Sequence, residues 1–335
     1  VFDIRTIAEE ATMNTDDDTR SGTPRPAHHL ILGAGPVGRA LVAHLADRGL
    51  TPTVVTRSGT EVPGATARRA DILDARQLAA ALADADVVHQ CAQPAYHRWQ
   101  QEFPGLQTAV IDAVAESGSL LSVVENLYGY GQVDGALTEA LPLRATTKKG
   151  AVRARMHLDL VEAHERGRIR MVVARASDFF GPHVDGSAFG ARFVSQVIAG
   201  RKVDILGDPD ALHSVTFVPD LAAAMVRLAD EPESWGRAWH VPNAPAVTQR
   251  ALVELAGAAA GTRPTVRRIA TWQLKALGMF SAPMRETVEM AYEFEHDFVV
   301  DHHDYAERFG DHATPLAEAF AATMRTAGAS IESAA

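Results

Sequence analysis

From His28 onward the chain alternates short apolar runs with alanine-rich amphipathic stretches. HHLIL leads into residues 39–48, TPTVVT into 74–83, ADVVHQCA into 106–116 and SLLSVVEN into 152–165, with IRMVVARA closing the series. Strand-length apolar runs separated by helix-length segments predict repeated βαβ units, and so an α/β protein with a doubly wound parallel sheet and right-handed crossovers. The pattern changes in the last third. Residues 215–218 and 238–241 read as short strands, and 221–229, 249–260 and 281–292 as helices, which predicts a smaller lobe over the strand ends. Ahead of the first strand, NTDDDTRSGTPRPA over 14–27 is polar and rich in turn formers, so residues 1–27 are expected to be a flexible leader, and 1–12 are assigned no function.

Composition narrows the class. The 335 residues carry 32 Lys and Arg against 42 Asp and Glu, a formal charge of −10, which argues against nucleic acid as a partner because phosphate neutralisation needs clustered cations. A single cysteine, Cys91, excludes an intramolecular disulfide and a cysteine-rich metal site. Without an 18-residue apolar run, no membrane span is expected, and the location expected is cytoplasmic.

Gly33-Ala34-Gly35-Pro36-Val37-Gly38 directly follows the apolar run 30–32 and opens the predicted helix 39–48. That context matches the dinucleotide fingerprint: Gly33 for a tight turn, Gly35 for backbone approach to a pyrophosphate, Gly38 for close helix packing, and a helix start carrying partial positive charge. Pro36 fits because the first helical turn has no internal use for its N–H. An NAD-selecting site places an acid at the end of the second strand, but here Thr53-Val54-Val55-Thr56 runs into Arg57-Ser58. A guanidinium pairs with a 2′-phosphate, so NADP(H) is expected in preference to NAD(H), which the turn also accommodates. The fold class expected is therefore Rossmann-type, with a dinucleotide-binding domain over 28–182, joined again by 215–245, and a substrate lobe from 183–214 and 246–335.

Four further segments extend the likeness. Ala70-Asp71-Ile72-Leu73-Asp74, Val87-Val88-His89-Gln90-Cys91-Ala92, Leu127-Tyr128-Gly129 and Arg175-Ala176-Ser177-Asp178-Phe179-Phe180-Gly181-Pro182 fall in order along the chain, with Phe217-Val218-Pro219-Asp220-Leu221 as a weaker fifth. With the glycine turn they resemble the short-chain dehydrogenase/reductase superfamily, in particular its extended and atypical branch, the NAD-dependent epimerase/dehydratase-like proteins. The resemblance implies adenine contacts from Asp71 and Ile72 and a nicotinamide-ribose border at Ala92.

The resemblance also implies a Ser or Thr ending the fifth strand and a Tyr-x-x-x-Lys pair on the next helix, whose lysine lowers the tyrosine pKa for proton exchange. Neither is retained. Family spacing puts Lys149 at the tyrosine position and Arg153 at the lysine position; a helix one turn longer would shift these to Ala145 and Lys149. The serine position falls in Val123-Val124-Glu125-Asn126, which lacks a hydroxyl. Lys149, Tyr128 and Asn126 are the residues expected to take over catalysis, with Tyr130 as a further hydroxyl on the same loop, and Arg153 is expected to contact the cofactor. The alternative is a solvated basic helix start.

Other residues weigh less. His302-His303, flanked by Asp301 and Asp304 and near His296, fits a surface turn better than a metal site, so no metal is expected. His213 is a weak substrate-contact candidate. Phe179, Phe180, Phe189 and Phe193 suit either an apolar pocket or core, and Cys91 suits an inert thiol. The function expected is an NADP(H)-dependent oxidoreductase that reduces a carbonyl or imine of a small organic substrate. The alternatives are a nucleotide-sugar epimerase or dehydratase, or a non-catalytic dinucleotide-binding regulator; a homodimer is compatible with the sequence.

Overall fold

The computed structural model describes residues 27–278 and 288–334. Its centre is a seven-stranded sheet, all parallel, built from β1 (His29–Leu32), β2 (Thr53–Thr56), β3 (Thr66–Arg69), β4 (Val87–Gln90), β5 (Leu120–Glu125), β6 (Arg170–Arg175) and, far along the chain, β11 (Ala238–His240). The strand order is β11-β6-β5-β4-β1-β2-β3, so the winding reverses between β1 and β4.

Period-two alternation sends successive side chains of each strand to opposite layers. Leu30, Leu32, Val55, Val88, Leu121 and Val173 face α2 (Ala75–Leu82), α3 (Trp99–Ser117) and α4 (Lys148–Glu165). Ile31, Val54, Val172 and Ala174 face α1 (Pro36–Asp47) and α6 (Val218–Asp230). Helix starts are satisfied locally. Asp74 accepts from the Arg76 and Gln77 amides at the head of α2, and the Thr147 hydroxyl accepts from the Gly150 amide at the head of α4.

Several elements depart from the sequence expectation. Helix α3 starts at Trp99, not near residue 106, and runs through Pro104, whose missing N–H removes one bond of the helical ladder. The expected strand 215–218 is β10 (Val215–Phe217), which pairs with β7 (Asp178–Phe180) outside the main sheet. The short strands β8 (Lys202–Leu206), β9 (Leu212–His213), β12 (Val247–Thr248) and β13 (Thr265–Ile269) pair as β8 with β13 and β9 with β12. Around them pack α5 (Ala191–Ile198), α7 (Gln249–Ala260) and α10 (Leu316–Ala334); α8 (Thr271–Gly278) and α9 (His303–Phe309) precede the last of these. Phe180, Phe189 and Phe193 belong to this lobe's core. The leader over 1–26 and most of the expected helix 281–292 lie outside the described residues, and of the latter Ala291 and Tyr292 form part of a 3₁₀ turn, Ala291–Phe294.

At the carboxyl ends of the sheet, β5 and β6 place Glu125 and Arg175 directly opposite each other. Both are buried, with Arg175 Nε donating to Glu125 Oε2 at 3.0 Å and Nη1 donating to the Tyr130 hydroxyl at 2.7 Å. That hydroxyl also meets His240 Nε2 at 2.8 Å. Burial alone would raise the Glu125 carboxyl, but the Arg175 charge and the His157 contact bring it down to about 2 from 4.5. Its contribution to stability is thus present above pH 4.5 and is lost as the pH falls towards 2. Arg175→Leu should lower the unfolding free energy by about 3–5 kcal/mol in urea at neutral pH, because it strands a buried carboxylate. Glu125→Gln should flatten the acid limb of stability between pH 4.5 and about 2, which denaturation at stepped pH would reveal.

Candidate active site

A cleft of ≈ 580 Å³ opens at the carboxyl ends of the strands, across the point where β1 and β4 diverge. At one end the chain leaves β1 through Gly33 at φ +104°, whose amide donates to Val55 O at 3.0 Å. A Cβ on Gly33 would stand 3.1 Å from the Ala92 backbone, and one on Gly38 would meet Gly33 O at 2.1 Å. On Gly35 it would meet nothing within 4 Å. The first and last glycines thus allow the turn to close, and the middle one faces open space at the start of α1, where Pro36 occupies the first turn.

Gly33, Gly35, Pro36, Val37, Arg57, Asp71, Ile72 and Ala92 all line this cleft. Gly38 lies beneath the turn, and Ser58 is turned towards Thr60, with the hydroxyls 2.7 Å apart. Arg57 is exposed, and Asp71 Oδ1 is held by the Leu73 amide at 3.0 Å. Burial pushes the Cys91 thiol well above its ordinary range, so it stays un-ionised beside the cleft.

The other end is formed by β5, α4 and the β7 strand. Because α4 begins at Lys148, Ala145 lies outside the helix, and the pair one turn apart on it is Lys149 with Arg153. Arg153 is buried along the cleft wall, its Nε donating to Asn126 Oδ1 at 3.3 Å and its Nη2 to Val124 O at 3.2 Å, with the guanidinium over the Trp99 and Phe103 rings. Lys149 is not among the cleft-lining residues. Its Nζ lies 2.9 Å from Glu289 Oε1 and 4.5 Å from the Tyr96 ring centre, and Glu289 also accepts from the Lys148 and Lys149 amides. The carboxylate therefore both pairs with Lys149 and complements the positive end of α4.

Asn126 and Tyr128 line the cleft, whereas Tyr130 is turned away into the Arg175 network. Sequence reasoning missed the groups opposite them. Asp178, Tyr96 and Glu293 line the same end; His213, buried, pairs with Asp178 at 2.9 Å. Glu293 is 2 % exposed, and burial first, then the Asp178 charge, push its carboxyl well above the ordinary range. Burial does the same to Tyr128 and Tyr96, whose hydroxyls bond to each other, so both stay protonated. Tyr96 follows β4 in a run of aromatic and basic residues that signals a strand-end loop; Glu293 carries no such signal. Of the four phenylalanines, only Phe179 reaches the cleft. His302 sits 3.5 Å from Asp311, and among the described residues no three His, Cys, Asp or Glu side chains are grouped to hold a metal ion. Nor is any described helix long and apolar enough to cross a membrane.

Fold and cleft together define a Rossmann-type α/β protein with a ligand crevice at the switch point of its sheet. A profile of the NAD dependent epimerase/dehydratase family matches residues 29–241, and the chain belongs to that family. It is 29 % identical over 255 residues to the dTDP-glucose 4,6-dehydratase of Streptomyces antibioticus, an overlap covering 68 % of this chain and 75 % of that protein. Among solved structures it resembles the UDP-glucose 4-epimerase of Thermotoga maritima with UDP-glucose, at a TM-score of 0.72 and 18 % identity over 91 % of this chain and 99 % of the other. It also resembles the dTDP-glucose 4,6-dehydratase of Streptomyces venezuelae with NAD bound, at 0.70 and 18 % over 90 % and 97 %.

The placement of Lys149 gives a structural test. Lys149→Met removes a buried ammonium and leaves Glu289 without that partner, so the melting transition should show a loss of about 1–3 kcal/mol. A variant with unaltered stability would show that the pair contributes nothing to the fold.

Proposed function

We propose that this chain is a nicotinamide-dinucleotide-dependent oxidoreductase that reduces a carbonyl or imine of a small organic molecule, with NADP(H) as the preferred cofactor. The observation that carries this reading is one continuous cleft, from the Gly33–Gly38 turn to the end lined by Tyr128, Asp178 and Glu293. The open space at Gly35, beside the N-terminal amides of α1, fits a pyrophosphate, and Asp71, Ile72 and exposed Leu73 fit an adenosine. Such a cofactor supplies a hydride at its nicotinamide ring.

The residues of the chain have separable roles on this reading. Arg57 offers a guanidinium to a 2′-phosphate, and Ala92 and Arg153 border the nicotinamide ribose. Asn126 and Tyr128 offer an amide and a protonated hydroxyl to the substrate. Lys149, tied to Glu289, acts on the site mainly by holding the head of α4 against Tyr96. The lobe of residues 183–214 and 246–335 frames the substrate. A second reading, a nucleotide-sugar epimerase or dehydratase, is favoured by the dehydratase relative and the UDP-glucose-bound epimerase structure. Against it stands the cleft's lining at the substrate end, where Arg153 is the described cation and is already held by Asn126 and Val124.

Fluorescence titration should show tighter binding of NADPH than NADH, and Arg57→Ala should narrow that gap by about 1–3 kcal/mol. Equal affinities in the unaltered chain would remove the NADP(H) preference. Gly35→Ala should fold normally and lose dinucleotide binding, since its methyl group would occupy the open space facing the pyrophosphate. Titration with UDP-glucose and dTDP-glucose tests the second reading, which predicts saturable binding of one of them to the NAD(P)-loaded protein.

A further inference from the structure

Among the described residues, the cleft-lining carboxyl group with a buried oxygen, Oε1, that has no hydrogen-bond partner is that of Glu293. The charged groups around it are already engaged. Asp178 pairs with His213 at 2.9 Å, and Lys149 pairs with Glu289 at 2.9 Å. Arg153 is held by Asn126 and Val124. Among the described residues, the titratable groups that interact electrostatically with Glu293 are Asp178, Tyr96, Tyr128 and Tyr292, none of which is a cation. A buried carboxyl with no cation beside it among the described residues, in a cleft walled by Tyr96, Tyr128, Phe179 and Phe298, has the makings of a cation site whose cation comes from the ligand.

We propose that the substrate end of the cleft takes a protonated imine, or the amine it becomes, with the Glu293 carboxylate as its counterion and the aromatic side chains around its frame. This deepens the reductase reading and rests on it. The chemistry balances without a proton donor at the position Lys149 occupies. The iminium carbon accepts a hydride from a reduced nicotinamide dinucleotide, forming a C–H bond. The C=N π pair becomes the nitrogen lone pair, and the positive charge passes to the oxidised ring. No oxygen has to be protonated, whereas carbonyl reduction requires a proton donor at the carbonyl oxygen.

Burial and the neighbouring Asp178 charge push the Glu293 carboxyl well above its ordinary range, so seating a cation beside it favours loss of a proton. Calorimetry of the full chain, with and without NADPH, would compare 1,2,3,4-tetrahydroisoquinoline with its uncharged oxygen isostere isochroman and with benzoate. At neutral pH the amine should bind at least about tenfold more tightly than isochroman. Repeating the titration in buffers of different ionisation enthalpy should show about one proton released. In Glu293→Gln, an isostere of the un-ionised acid, the preference should collapse and the proton release vanish, while circular dichroism and NADPH binding stay unchanged. The proposal is overturned if isochroman or benzoate binds as tightly as the amine, if no probe binds, or if Glu293→Gln keeps the preference. The comparison of amine with isochroman on the unaltered chain stands without any variant. NADPH binding without an amine preference removes this inference and leaves the reductase reading intact. An amine preference in a protein that fails to bind NADPH removes the reductase reading and leaves the Glu293 cation site standing.

Discussion

Gly33, at a φ of +104° that side-chain-bearing residues rarely adopt, packs so closely on the segment after β4 that a Cβ would stand 3.1 Å from the Ala92 backbone, and the cleft depends on that contact. A parallel sheet ends in strands whose connections leave towards opposite layers, and a crevice forms only where neighbouring connections part. Here they part between β1 and β4, with Gly33 bonded sideways to β2 through Val55 O and Cys91 bonded to Leu32 O at 3.1 Å. A bulkier turn would push α1 away from the sheet. The crevice would then lose both its floor and the amides at the head of that helix.

From that floor the two ends of the cleft diverge in electrostatic character. The end over β2 offers the exposed guanidinium of Arg57 and the start of α1, both suited to phosphate. The end over β5 and β7 spends its cations internally, with Arg153 fastened to the tip of β5 and Arg175 opposite Glu125 one layer below. Low dielectric explains why these charges come in pairs: a buried ion is tolerated only when its partner is close. Glu293 stands apart among the described cleft acids, and burial and the Asp178 charge push its carboxyl well above the ordinary range.

Much of the sheet was legible in the sequence because its strands are buried on both faces and read as unbroken apolar runs bounded by turn residues. The glycine turn was equally legible, since a tight approach leaves small residues at fixed spacing. The short strands β8, β9, β12 and β13 were not, because two- to five-residue pieces paired across long stretches of chain leave no periodic trace. The same holds for the substrate end. Lys149 and Arg153 were visible as a basic pair one turn apart, but Glu289, which binds one of them, lies 140 residues further on. Asp178 and His213 pair between β7 and β9, and Glu293 reaches the same end of the cleft from the 3₁₀ turn Ala291–Phe294 far along the chain, a relation no local pattern records.

On the reading proposed above, Lys149 and Arg153 stand where the family resemblance implies a Tyr-x-x-x-Lys pair, and that changes more than the identity of a proton donor. A phenol beside a cation exchanges one proton near neutral pH; here Lys149 is paired with Glu289, and the Arg153 guanidinium lies over the Trp99 ring. Arg153 keeps the part of the role that needs only a fixed positive charge, since its guanidinium ties α4 to the end of β5 beside Asn126. The proton-handling part has no successor on α4. On the proposal made above, the group that exchanges a proton in this cleft is Glu293, whose carboxyl burial and the Asp178 charge push well above the ordinary range. A site so arranged stabilises positive charge on the substrate, whereas a phenol beside a lysine stabilises negative charge on an oxygen, and that reversal of sign is the physical reason to expect different substrates from a shared fold.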